Sequence, residues 1–167
     1  MQNLERDERD AIGAGIVIGI ALGVVHIVYV FINNLANLDA PAGARLNNIS
    51  LALLFAVFVL AGARGGQLTG RVQFGARAGM ASGIVSAMIG IATLWLVTFL
   101  FMDVIRQNAF MILDFQRSNA ASMDAFIIDD ALGATMVEFV VSLALGAGLG
   151  ALGGWMGAGI ARRKLQA

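Results

Sequence analysis

An all-α integral membrane bundle of four transmembrane helices is the fold this sequence predicts, and three observations carry it. First, 59% of the 167 residues are hydrophobic and only 13% are charged, with a mean hydropathy of +0.81. A soluble domain of this length has no interior large enough to hide that much apolar surface. Second, the apolar residues gather into four long runs, and Pro41 is the single proline, as a nearly all-helical chain requires. Third, many of the 21 glycines lie inside those runs at four-residue spacing. Gly15, Gly19 and Gly23 form one ladder, Gly75, Gly79 and Gly83 a second, and Gly146, Gly150 and Gly154 a third, with Gly153 and Gly157 as an offset pair. Such spacing puts small residues on one helix face, where another backbone can approach closely.

The spans are taken in order within a single transmembrane domain, 1–167. The first covers about 11–32 and carries His26 as its one ionisable residue. It resembles a signal peptide in position, and Ala42-Gly43-Ala44 resembles a cleavage site. Its flank (Glu5, Arg6, Asp7, Glu8, Arg9, Asp10) is net acidic and its apolar core is too long, so it reads as a retained helix. The second span, about 47–63, is short for the roughly 20 residues a bilayer demands. The third covers about 78–102. The fourth covers about 131–160 and holds one carboxylate, Glu138.

Helix ends show suitable chemistry. Asp10 is placed to cap the first helix, Asn47 or Asn48 the second, and Asp129 with Asp130 to start the fourth. In the outer connection, 103–130, the stretch from Asp103 to Ser118 is too polar to span. It is expected as a helical extension of the third span or as a short interfacial helix, supported by the three-residue pairs Asp103–Arg106 and Asp114–Arg117. Asn119 to Asp124 reads as a loop. The connection is either a plain surface segment or a lid over an outer cavity.

Lys and Arg placement orients the bundle. Arg6, Arg9, Arg64, Arg71, Arg77, Arg162, Arg163 and Lys164 fall on one side, against Arg45, Arg106 and Arg117 on the other. Both termini are therefore expected in the cytoplasm of a cell whose multi-pass protein sits in the cell membrane, most plainly a bacterial inner membrane. Arg64, Arg71, Arg77, Arg162, Arg163 and Lys164 are expected to meet lipid headgroups. With that orientation the glycine ladders fall in the cytoplasmic halves, while Tyr29, Phe31, Trp95, Phe99, Phe101 and Phe139 crowd the outer halves. The bundle should be pinched inside and splayed outside. Gly15-Ile16-Val17 recurs as Gly83-Ile84-Val85, and Ser50-Leu51-Ala52-Leu53 as Ser142-Leu143-Ala144-Leu145, which raises a two-plus-two parallel repeat.

Ionisable residues inside spans are the first functional candidates, because burying them is costly. His26 and Glu138 both lie roughly 9–12 Å below the outer boundary at 1.5 Å per residue. They can meet if the first and fourth spans are neighbours, with Tyr29, Thr98 and Ser142 in the same outer half. One reading makes the pair a register lock for packing. The other makes it the floor of an outer vestibule that binds a cation or relays protons.

Much is excluded. Zero net charge gives no case for nucleic acid, and the lack of cysteine removes disulfides and thiol catalysis. One histidine and one intramembrane carboxylate do not make a metal site, no cofactor is expected, and no nucleophile motif occurs. The Arg64-Gly65-Gly66-Gln67-Leu68-Thr69-Gly70-Arg71 segment lacks the ending of a phosphate-binding loop. The leading expectation is a non-enzymatic structural or accessory membrane subunit. Its partners are the lipid bilayer and either further copies of itself or another membrane protein. The alternative is a small transporter or channel with an outward-facing site around His26 and Glu138.

Overall fold

The computed structural model describes residues 2–36 and 38–164, with the side chains of Gln2, Asn3, Ala40 and Lys164 outside the described part. It is all-helical among these residues. Four helices are long and apolar enough to cross a membrane: α1 (Gln2–Leu35), α2 (Ala40–Thr69), α3 (Val72–Leu100) and α6 (Met123–Lys164). Two short helices, α4 (Met102–Ile105) and α5 (Ala109–Arg117), connect α3 to α6. The chain is thus a multi-pass membrane protein. The start of α1, the end of α6 and the tight α2–α3 turn share one end of the bundle, called here the terminal end; the other connections make up the distal end.

The helices outrun the apolar spans, and several caps sit elsewhere than expected. Helix α1 begins well before Asp10, which therefore lies inside it, 4.0 Å from Arg6. Glu8 instead reaches Arg77 at 2.7 Å and ties this polar extension to α3. Helix α2 is capped by Asp39, whose Oδ1 accepts from the Ala42 N–H at 2.8 Å, with Pro41 in the first turn. Pro41 has no N–H to lose there and its φ is already helical. Asn47 and Asn48 are interior residues of α2. At the other end α2 continues through Arg64 to Thr69, so the span is not short. Gly65 and Gly66 do not break it, because each lies against a neighbouring helix: Gly65 against Phe74 and Ala78, Gly66 against Gly154. Gly70, at φ 69°, makes the turn. This left-handed conformation suits glycine because it has no Cβ to clash.

Helix α3 stops at Phe101, where φ −122° and ψ 25° leave the helical region. The connection is therefore not a continuation of α3. Asn108 caps α5 by accepting from the Phe110 N–H at 2.9 Å. Helix α6 starts at Met123 rather than near Asp129, and the Ser122 hydroxyl accepts from the Ala125 N–H at 3.2 Å. Its 42 residues extend about 63 Å at 1.5 Å each, beyond the depth of a bilayer.

Helix α3 is central, packed along α1, α6 and α2; α2 also packs along α6 and more briefly along α1. Helices α1 and α6 occupy the far corners. Neighbouring levels follow from the glycines. Gly15 lies against Ala78 and Gly19 against Ser82, so α1 and α3 run parallel. Gly62 lies against Gly150 and Gly66 against Gly154, so α2 and α6 run parallel. Gly75, Gly79 and Gly83 meet Gly154, Gly146 and Ser142 in antiparallel order. Gly153 and Gly157 meet the α2 backbone around Ala63. Gly15 is thus level with Ala78, five residues short of Gly83, and the short recurring motifs do not sit at equal depths.

The terminal half of the bundle is held backbone to backbone in this way. The distal half is not. Among the described residues, none on α2 before Leu54, and none on α6 between Ala131 and Ser142, is fully buried. The two helices part there. Leu22, Leu54 and Phe58 close the core below the gap, packed by Val57, Leu145 and Leu149. A second cluster, Val30, Val97, Ile105 and Ile127, joins α4 and the start of α6 to the distal end.

Candidate functional site

The gap between the distal halves of α1, α2 and α6 is a cavity of about 370 Å³. Three helical stripes line most of it. Helix α1 contributes His26, Tyr29, Val30, Asn33 and Asn34; α2 contributes Asn47, Ser50, Leu51 and Leu54; α6 contributes Asp130, Ala134, Val137, Glu138, Val141 and Ser142. Each set recurs at three- and four-residue steps, the spacing of one helix face. Leu94 of α3 and Met111 of α5 complete the wall.

His26 belongs to the same buried stripe of α1 as the glycine ladder: Ala11, Gly15, Gly19, Leu22, Gly23, His26, Val30. It is 7% exposed. Its Nδ1 lies 3.3 Å from Oε1 of Glu138 and 3.4 Å from the Ser86 carbonyl oxygen. The carbonyl can only accept, so a hydrogen on Nδ1 satisfies it, while the carboxylate lies beside the same ring nitrogen. The Glu138 side chain keeps 24% of its exposure, facing the cavity that it lines.

The pair meets even though α1 and α6 are not packed along each other. Gly90 of α3 is the reason. A Cβ built there would lie 3.1 Å from His26 Nδ1 and would run into Glu138 Oε1. The missing side chain is the space through which residues on opposite corners of the bundle touch.

The other expected site residues divide. Tyr29 and Ser142 line the cavity, and the Tyr29 hydroxyl lies 3.5 Å from Asn47 Oδ1, at the limit of a hydrogen bond. Thr98 does not line it; it is buried in α3, at 2% exposure. Nearby Trp95 donates to the Thr135 hydroxyl at 3.1 Å, joining α3 to α6. Asn33, Asn34, Asn47, Ser50 and Asp130 are cavity residues beyond the expected set, Asn47 and Asp130 among them having a sufficient explanation in sequence as helix caps. Their signal was present: Asn33 and Asn34 stand seven and eight residues after His26, and Asp130 stands eight before Glu138.

Among the described residues, no Lys or Arg side chain lines the cavity. Two carboxylates, three side-chain amides, two serine hydroxyls and a phenol do. The arrangement offers oxygen atoms and negative charge to a cation, beside apolar wall for a carbon skeleton. No cluster of three or more His, Cys, Asp or Glu side chains suited to a metal ion occurs among the described residues. At the terminal end, Arg162 and Arg163 border a groove with Trp155 and Val72, Arg64 borders another with Gln67, and Arg77 is engaged with Glu8 and over the Phe74 ring. Comparison of the chain with protein-family models, with curated proteins and with solved structures finds no match.

Proposed function

We propose that this chain is a small non-enzymatic membrane carrier that takes an organic cation into the distal cavity, with Glu138 as the charged floor of the site and His26 as its buried partner. One observation carries the reading: Glu138 sits near the base of an open cavity of about 370 Å³ rather than sealed in a dry helix contact. That size suits a small ligand, and apolar walls with a few convergent polar groups are typical of ligand sites. A carboxylate kept half in membrane protein and half in a cavity is costly unless something uses it. The Leu22–Leu54–Phe58 plug closes the floor towards the terminal end, as a carrier in one of its two states requires. The excess of Lys and Arg at the terminal end supports an orientation with both termini in the cytoplasm and the cavity mouth outside.

Uptake of methylammonium into proteoliposomes tests this. The unaltered chain is expected to accelerate uptake over empty vesicles, and Glu138→Gln to abolish the acceleration while leaving the helical content intact. Equal uptake with and without protein, or with and without Glu138, overturns the carrier reading.

A second reading, an accessory membrane subunit, draws on another observation. Gly148 and Gly159 lie eleven residues apart on one face of α6 with nothing within 4 Å of a built Cβ. Close packing by a second helix would use that face. Gly148→Leu should then lower the assembly mass in mild detergent and leave amine uptake unchanged.

A further inference from the structure

The cavity holds a second carboxylate, and its position relative to the first narrows the ligand. Asp130 and Glu138 both line the cavity from α6, eight residues apart. Eight residues of helix rise about 12 Å. Glu138 is at the floor beside His26; Asp130 is exposed at the mouth, two helical turns nearer the distal end. Between them the wall is Ala134 and Val137, faced by Leu51, Leu54, Leu94 and Met111. The cavity therefore presents anion, apolar segment, anion along one line. Asp114 of α5 adds its charge near Asp130, with its own Arg117 neighbour 3.9 Å away. Among the described residues His26 is the one basic side chain in the lining, and its Nδ1 already lies 3.3 Å from Glu138 and 3.4 Å from the Ser86 carbonyl oxygen.

We infer that the preferred occupant is a linear dication: a diamine or polyamine whose two ammonium groups, separated by a methylene chain, meet Glu138 and Asp130 at once. The inference rests on the cation reading of the cavity. An extended chain advances somewhat less than its ~1.5 Å bond length per bond, so a span of about 12 Å calls for roughly eight to ten bonds between the nitrogens. The methylenes then lie against Ala134, Val137, Leu51 and Leu94, where they leave water. A monoamine satisfies Glu138 alone. A short diamine reaches only one carboxylate with its second charge left in the apolar stretch. Asn33, Asn47 and Ser50 provide oxygen acceptors for the ammonium hydrogens that the carboxylates leave free.

Calorimetric titration of the purified full chain in nanodiscs of neutral lipid decides the matter. The probes are linear diamines of roughly four to ten carbons, each paired with the amino-alcohol of equal length. Affinity should rise with diamine length and pass through a maximum near the long end, where the diamine exceeds its amino-alcohol by about tenfold. Asp130→Asn should erase that advantage and the length dependence, weakening the long diamines far more than the amino-alcohols of equal length. Glu138→Gln should weaken both series. Asp130 is exposed, so its replacement leaves the fold in place and the comparison valid. Diamines and amino-alcohols of equal length binding alike, or a length series unchanged by Asp130→Asn, overturns the dication inference and leaves the cation site standing. No amine binding, or binding indifferent to Glu138→Gln, overturns the cation site and the dication with it.

Discussion

Gly90 and Gly79 lie on the same helix face and differ in what a methyl group would strike. At Gly79 the added Cβ would stand 2.7 Å from the Gly150 Cα and against the Gly146 carbonyl, all backbone. Backbone held by two helices cannot step aside, so Gly79→Ala should cost about 1–3 kcal/mol, as overpacking does, and lower the unfolding temperature in detergent. At Gly90 the obstacle is the tip of the Glu138 side chain, with His26 Nδ1 at 3.1 Å. A flexible side chain can move. Gly90→Ala should hold stability within about 1 kcal/mol yet separate the pair and reduce amine uptake about tenfold. A glycine that changed stability and uptake together would be a packing residue only. Ser82 is a third case. It is fully buried and its hydroxyl has no hydrogen-bond partner. Removing an unsatisfied buried hydroxyl relieves its desolvation cost, so Ser82→Ala should stabilise the bundle by about 1 kcal/mol in the same unfolding measurement.

At the scale of elements, helix boundaries were the least legible part of the sequence. Hydropathy marks where a helix is apolar, not where its hydrogen bonding ends. The polar turns before Ala11 and after Ala63 remain helical because Glu8 pairs with Arg77 and because Gly65 and Gly66 pack on α3 and α6. Asp39, two residues ahead of Pro41, was the true start signal for α2. Asp39→Ala should cost about 1 kcal/mol, read from thermal unfolding, with amine binding unaffected. The α4–α5 connection hangs on Arg106. Its Nε and Nη2 bond both carboxylate oxygens of Asp124 at 2.7 and 2.6 Å, and Nη1 bonds Asp103 at 2.6 Å. Two parallel bonds fix orientation as well as distance. These pairs keep Arg106 more firmly protonated than a free guanidinium. Helix α5, which buries none of its residues fully, hangs beside the cavity through Met111. Arg106→Gln should speed hydrogen exchange across Ala109–Arg117 and leave α3 unchanged, since only the tether is lost.

At the scale of the whole molecule, the taper expected from glycines at one end and aromatics at the other is present as geometry. Glycine contacts bring backbones together in the terminal half, and the distal halves of α2 and α6 diverge around the cavity. The aromatics do not wall that cavity, apart from Tyr29. Phe31 meets Phe101 edge-on at 6.2 Å, and Trp95 stacks on Phe99 at 5.4 Å, away from it. The chain lacks cysteine, so single introduced thiols report access cleanly. A membrane-impermeant maleimide should label Ser50→Cys quickly from the side opposite Arg163→Cys, and should fail to label Phe58→Cys in the plug. Labelling of Phe58→Cys as fast as Ser50→Cys would show a continuous pore instead of a closed floor.

Four membrane helices, their order and their parallel or antiparallel sense were readable along the chain. Hydropathy is a sum over neighbours in sequence, and each crossing reverses direction. His26 could be placed on the glycine face of α1, and Glu138 at similar depth, by helical period alone. That they touch was beyond such a reading. Contact depended on the lateral order of helices, which puts α3 at the centre and α1 and α6 at opposite corners. It then depended on the one residue of α3 at that level that has no side chain, Gly90. Depth is local information carried by residue count. Lateral arrangement is a property of all four surfaces packing at once, and only the folded bundle decides it.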